Sequence, residues 1–224
     1  MDFEPYFKQY EALVEQANAA FDKVKEEYPD LVRCKVKCAD CCHALFDLTL
    51  IEALYIKSRF EEMEEGEARN EMIERANTAD RKIYQLKRKA YKDHEAGKSE
   101  DEILEDMALQ RVRCPALGSD DQCEIYDVRP ITCRIYGIPT VIGGRAHTCG
   151  VSGFTEGESY PTVRMDALYQ RLYEISFAMA QEMKSRYPKL AEMLVPLSMA
   201  LLTDYNDEYL GCSKQGDAES DTKE

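Results

Sequence analysis

The chain has 224 residues, 44% of them hydrophobic and 32% charged, with a formal net charge of −14. That length and apolar content suit one domain with a sizeable core, expected over residues 1–211, and a disordered tail over 212–224. The acidic balance repels a nucleic-acid backbone, and no apolar run is long enough to span a bilayer, so neither nucleic acid nor a membrane is expected as partner.

In chain order, residues 3–28 predict an amphipathic helix. Phe3, Tyr6, Phe7, Tyr10, Leu13, Val14, Ala17, Phe21, Val24 and Tyr28 recur at steps of three and four. Tyr28-Pro29 ends it, because the residue before proline is driven out of the helical region. The stripe reads as core rather than as the wall of a cofactor site. Residues 30–47 form a loop. Thr49 with Glu52 is a capping box, and helix follows to about Gly97, broken near Gly66. The acidic run Glu61, Glu62, Glu64, Glu65 and Glu67 reads as a solvated face. Ser99 with Glu102 is a second capping box and opens a short helix to about Gln110.

Residues 111–160 lose helical periodicity and gain Gly, Pro, Cys and Asp. Within them Thr140-Val141-Ile142, Gly143-Gly144 and Arg145-Ala146-His147 predict a hairpin. A stretch this long and irregular needs something other than a core to hold it, and metal–thiolate bonds can do that. Thr162 is the expected cap of a long helix bearing Met165, Leu168, Leu172, Ile175, Met179 and Met183, stopped by Tyr187-Pro188. A last helix is expected over Leu190–Tyr205, kinked at Pro196, with Leu190, Met193, Leu194, Leu197 and Leu201 turned inward. The predicted class is mainly α: a helical bundle carrying an irregular cysteine-rich metal-binding lobe.

Eight of the nine cysteines fall into two sets. Cys34, Cys38, Cys41 and Cys42 are spaced C-x3-C-x2-C-C; Cys114, Cys123, Cys133 and Cys149 follow at longer intervals. Thiolates two or three residues apart can converge on one metal, and eight suffice for two four-thiolate sites. Cys41 and Cys42 are adjacent, so either they serve different metals or one supports the other's ligation. Zinc and a four-iron cluster both accept thiolates, and the donor type alone leaves that choice open. Nine cysteines in a chain with no apolar leader near Met1 favour reduced thiols and a cytoplasmic setting over disulfides. Cys212, near the end, reads as a free thiol. The triplet Cys34, Cys38, Cys41 matches the spacing of radical S-adenosylmethionine enzymes. No alternation of strands and helices follows it, so that barrel is not expected.

The surroundings are mildly basic. Arg33, Lys35 and Lys37 stand against Asp40 around the first set, and Arg111, Arg113, Arg129, Arg134 and Arg145 accompany the second. Such cations offset thiolate charge. Arg129 and Arg134, flanking Cys133, are candidates for binding at the metal centre, more as structural or charge-compensating groups than as a substrate anion site. His147 and His43 are read as hydrogen-bond donors to thiolates, and Tyr126 and Tyr136 as packing groups that limit water.

The cysteine motif resembles that of the YkgJ-like cysteine-cluster family. Cys38-x2-Cys41-Cys42 carries the first half. The second is carried by Arg113-Cys114-Pro115-Ala116-Leu117 and by Cys123-Glu124-Ile125-Tyr126-Asp127-Val128-Arg129-Pro130-Ile131-Thr132-Cys133-Arg134. The similarity covers about residues 34–150, and the long insertion between its halves departs from the pattern. It implies a cysteine-bound centre of zinc or iron. Flagellin lysine N-methylases share the cysteine block, which implies an iron–sulfur cluster, 4Fe-4S favoured, and S-adenosylmethionine as a candidate cofactor for methyl transfer to a protein. Three functional classes stay open: a cluster-dependent transferase or redox protein acting on a protein or small molecule, a zinc-stabilised structural or interaction module without enzymatic activity, and a disulfide-based redox switch that would hold no metal.

Overall fold

In the computed structural model, residues 2–212 are described. The chain begins with α1 (Glu4–Glu27), whose Tyr6, Phe7, Tyr10, Leu13, Ala17 and Val24 are buried. A loop with a one-turn 3₁₀ helix at Cys41–His43 leads to β1 (Leu48–Thr49) and α2 (Leu50–Glu61). The fold is mainly α, with eight α-helices among the described residues and only short strands.

α2 is the pivot. It buries residues on nearly every side: Leu50, Ile51, Leu54 and Tyr55 join one core with α1, while Ala53, Ile56 and Phe60 join another. A short helix can be buried all round only where neighbours cover each face. α6 (Met165–Glu182) covers the first core. α3 (Glu67–Glu95) and α7 (Leu197–Leu202) cover the second. The Ser176 hydroxyl on α6 accepts from the Ile51 N–H at 3.2 Å and donates to the Leu172 carbonyl, satisfying a backbone donor of the first turn of α2 inside the apolar core.

Both predicted capping boxes form. Ser99 starts α4 (Glu100–Ala108), with the Ser99 N–H donating to Glu102 at 3.2 Å. At α2, the buried Glu52 carboxylate accepts from the Thr49 N–H and hydroxyl at 3.1 and 3.0 Å. Its second oxygen accepts from the Ile131 N–H at 3.1 Å, the first residue of α5 (Ile131–Ile135). One carboxylate thus caps two helices, and the second carries Cys133.

The hairpin forms as expected: β2 (Thr140–Ile142) pairs antiparallel with β3 (Arg145–His147) around Gly143-Gly144, both at positive φ. A parallel strand, β4 (Val163–Arg164), joins β2 with Thr140 opposite Val163. That strand displaces the expected cap. Thr162 lies outside the helix, its hydroxyl on the Tyr160 carbonyl, and Arg164 is the residue before α6.

The C-terminal expectation needs two corrections. α6 ends at Glu182, ahead of Tyr187-Pro188, with Lys184 at φ 51°. Leu190–Tyr205 is not one helix. It divides into a 3₁₀ turn (Leu190–Glu192), β5 (Leu194–Val195) and α7, with Pro196 opening α7 rather than kinking it. β5 pairs with β1, Leu48 opposite Val195, which leaves Leu194 exposed instead of inward. α8 (Asp207–Leu210) follows, capped by the Asn206 side chain, and Cys212 packs partly buried beside it. The expected disordered tail falls, apart from Cys212, outside the described residues.

Candidate metal centre

The 3₁₀ turn at Cys41–His43 places Cys41 and Cys42 together at one end of the bundle. α3 and α4 then carry the chain out and back, so the long insertion returns to its starting point. The Cys114 N–H donates to the Cys42 carbonyl at 2.7 Å, and the Val112 N–H to the His43 carbonyl at 3.1 Å. The two cysteine sets are therefore joined through backbone. Arg111 reinforces the junction, donating to the Asp40 carboxylate at 2.6 Å and to its carbonyl at 3.0 Å. Cys123 sits across a β-bridge from Leu117, Cys133 lies within α5, and Cys149 follows the hairpin.

All eight cysteines line one cavity of about 650 Å³. Cys42, Cys114, Cys123 and Cys133 each feel the charge of Cys41, and so does Cys34, which also feels Cys38 and Cys149. The adjacent Cys41 and Cys42 sulfurs perturb each other, the Cys41 pKa falling to about 7 and that of Cys42 rising. Burial raises Cys34 to about 11 and Cys114 to about 12, and pushes Cys133 well up. Burial also raises Cys149, whose thiol donates to Asp40 Oδ2 at 3.4 Å. Without a metal, most of these sulfurs hold their protons near neutral pH.

Gly137 bears on the fit. A Cβ built there would lie 2.1 Å from Cys34 Sγ and 3.4 Å from the Phe21 ring, so the bare glycine backbone makes room for that sulfur. Among the described residues, no three His, Cys, Asp or Glu side chains stand close enough to hold an ion as they lie. The donors are nonetheless of one soft chemical type, gathered from four segments around one space. That suits a thiolate-bound centre which draws its ligands inward on binding.

The arginines divide in role. Arg134 is buried and its guanidinium is used up structurally: Nε donates to the Arg129 carbonyl at 2.8 Å, Nη1 to Asn18 Oδ1 of α1 at 3.2 Å, and Nη2 to the Asp127 carbonyl. Arg129 lines the cavity. It lies 3.7 Å over the Tyr126 ring, donates to the Tyr126 carbonyl and has no ion-pair partner among the described residues. Its charge favours the thiolates of Cys41, Cys123 and Cys133.

Two expectations fail on position. His147 stands exposed on β3, outside the cavity lining, and the His43 ring nitrogen Nδ1 lies 2.9 Å from the Ala39 carbonyl rather than on a sulfur. Both tyrosines line the cavity, Tyr126 largely exposed and Tyr136 half-buried. Asp40, Gly137, Phe21 and Lys25 also belong to the cavity and carry no spacing signal that would single them out. Asp40 alone was open to notice, as the acid inside the first cysteine motif. Tyr10, fully buried, has a hydroxyl with no partner among the described residues and feels the charges of Glu52, Arg134 and Cys133.

With this geometry in place, comparison with known families is informative. The profile of the CxxCxxCC domain, described provisionally as zinc- or iron-chelating, matches residues 33–150, more than half of the chain. The protein belongs to that family. No curated protein and no solved structure matches it.

Proposed function

We propose that the protein binds an iron–sulfur cluster in the cavity lined by Cys34, Cys38, Cys41, Cys42, Cys114, Cys123, Cys133 and Cys149. The observation that carries the reading is the meeting of all eight thiols, from two sets far apart in the sequence, around one space of about 650 Å³. That volume is in the range of small-molecule sites and exceeds what a single ion needs, which favours a polynuclear centre. Cys41, whose pKa is lowered to about 7, gives up its proton to a metal most readily of the perturbed thiols. Arg129 offsets the added negative charge, and Arg134 holds α5 so that Cys133 faces the cavity. A bound cluster supplies electron transfer or a Lewis-acidic iron; the chain's own groups supply its ligands and its electrostatic setting.

Zinc is the second reading, favoured by the family's description as zinc- or iron-chelating. It makes the centre a brace for residues 111–160 and the protein a structural or interaction module. In the iron–sulfur reading the protein acts as a transferase or redox protein, with S-adenosylmethionine as the candidate co-substrate of a transferase. Among the described residues no helix is long and apolar enough to cross a membrane, and reduced thiols fit a cytoplasmic setting. The test is purification without oxygen, followed by assay of iron, acid-labile sulfide and zinc per chain. Iron and sulfide in equal amounts, about four each, support the cluster. One or two zinc ions and a colourless protein move the assignment to the structural module, and a metal-free protein defeats both.

A further inference from the structure

α3 carries a feature that the metal centre does not use. Its buried face, Met72, Ala76, Ala79 and Ile83, packs inward, largely against α7. The opposite face presents Glu67, Glu71, Glu74, Thr78, Arg81, Gln85, Arg88 and Lys92, all exposed. These positions alternate in steps of four and three, the spacing of a seam between two helices. Charge along the helix is segregated. From Glu61 to Arg75 there are seven glutamates and two arginines; from Arg81 to Lys92 there are six cations and no acid. Among the described residues only Lys87 of those six pairs with an acid, Asp47 at 2.7 Å. Two large rings, Tyr84 and Tyr91, are 64% and 65% exposed along the basic half.

Complementing the helix dipole does not explain this pattern. That effect fades beyond the first and last turn, whereas Glu74, Arg81, Lys82 and Arg88 lie well inside α3.

We propose that α3 is the contact surface of a two-fold symmetric dimer, with a second copy of this chain lying antiparallel along the same face. A two-fold contact requires a surface complementary to itself, and this one is. With the axis between Thr78 and Arg81, Glu67 meets the partner's Lys92, Glu71 meets the partner's Arg88 and Glu74 meets the partner's Gln85. Tyr91 then falls level with the partner's Ala68, near a shallow depression formed by Gly66, Glu67, Asn70, Glu71, Glu74 and Arg75. The basic half of one copy thus finds a seat on the acidic half of the other. Exposed ion pairs and two rings per chain make a weak, salt-sensitive contact, which sets the sign of the test.

Sedimentation velocity of the full chain, with a reductant present, should show a monomer–dimer equilibrium in the micromolar range. Raising salt from about 50 mM to about 500 mM should weaken it about tenfold or more. Glu67→Lys with Glu71→Arg should make the chain monomeric, and so should Arg88→Glu with Lys92→Glu. An equimolar mixture of the two double variants should dimerise again, because in the mixed pair the two altered halves, now of opposite charge, face each other and so do the two native halves. A wild-type chain that stays monomeric at low salt, a dimer untouched by either variant, or a mixture that fails to associate would each overturn the proposal. So would a monomer whose basic half instead retains an anionic polymer.

Discussion

The helical bundle and the cysteine lobe are built on different terms. Around α2, order comes from burial: Leu50, Ile51, Ile56, Leu172 and Met179 are at most 1% exposed and pack on both faces of the helix. From Arg111 to Tyr160 such side chains are confined to Ala116-Leu117 and to Ile131, Ile135 and Ile138, which tie the stretch to the bundle core. The rest of it is turns and backbone bonds such as Cys114 to Cys42, with the sulfurs lining a cavity. The bundle thus rests on its own apolar contacts, while the lobe gathers eight sulfurs around a cavity without, among the described residues, bringing three donor side chains close enough to hold an ion as they lie. The two regions meet at Glu52, which caps α2 and α5 with one carboxylate.

That contrast can be broken from either side. Replacing Cys133 by Ser should cost about a thousandfold in metal affinity, since thiolate bonds carry folding energy in such sites. Far-UV circular dichroism should barely change, because the bundle does not depend on them; competition with a chelator measures the first and a spectrum the second. Ile51→Ala should do the reverse, lowering unfolding stability by about 2–5 kcal/mol in urea melts while metal stoichiometry holds. If Ile51→Ala left stability untouched, the division between the regions would be wrong.

Acidity sharpens the comparison. Binding must displace protons from thiols whose pKa values are raised by burial, Cys34 to about 11 and Cys114 to about 12, so affinity should climb with pH. The expected gain is roughly tenfold per pH unit for each proton released, and it falls most steeply below about 7, where Cys41 also protonates. The metal-free protein behaves oppositely. Its folded thiols hold protons more tightly than unfolded ones, so their contribution is complete below the ordinary thiol range and is lost as pH rises through the folded values. Melting the metal-free chain between neutral and alkaline pH should show that loss, and a flat profile would count against the buried thiols.

Glu52→Gln tests the junction. It replaces acceptors of three donors, at Thr49 and Ile131, and should cost about 1–3 kcal/mol and weaken metal binding as well, because α5 loses its anchor. The smallest effect is expected at Gly137→Ala. The new methyl would displace the Cys34 sulfur without unfolding the bundle, lowering metal affinity about tenfold as disturbed ligand positioning does. Equal metal affinity in the Ala variant would remove Cys34 from the ligand set.

Much of the helical half was legible because its signals are local. The stripe from Tyr6 to Val24, the capping boxes at Thr49 and Ser99 and the Gly143-Gly144 hairpin each depend on residues a few positions apart. The C-terminal region misled for the opposite reason. Leu190–Tyr205 has the apolar content of a helix, yet β1 supplies a distant pairing partner that draws Leu194-Val195 into a strand. Likewise β4, two residues long, exists only because β2 lies beside it.

By itself the sequence determined the thiol content of the lobe, eight sulfurs with basic neighbours, and most of the long helices beside it, since spacing, capping and thiol softness are properties of adjacent residues. Only the tertiary structure decided that a seventy-residue excursion ends where it began, setting Cys114 against Cys42. It alone made Arg134 a buried brace while Arg129 stayed beside the thiols, and put His147 outside the cavity. Those outcomes depend on which surfaces exclude water together and which backbone groups find partners across the fold, and no local pattern carries that information.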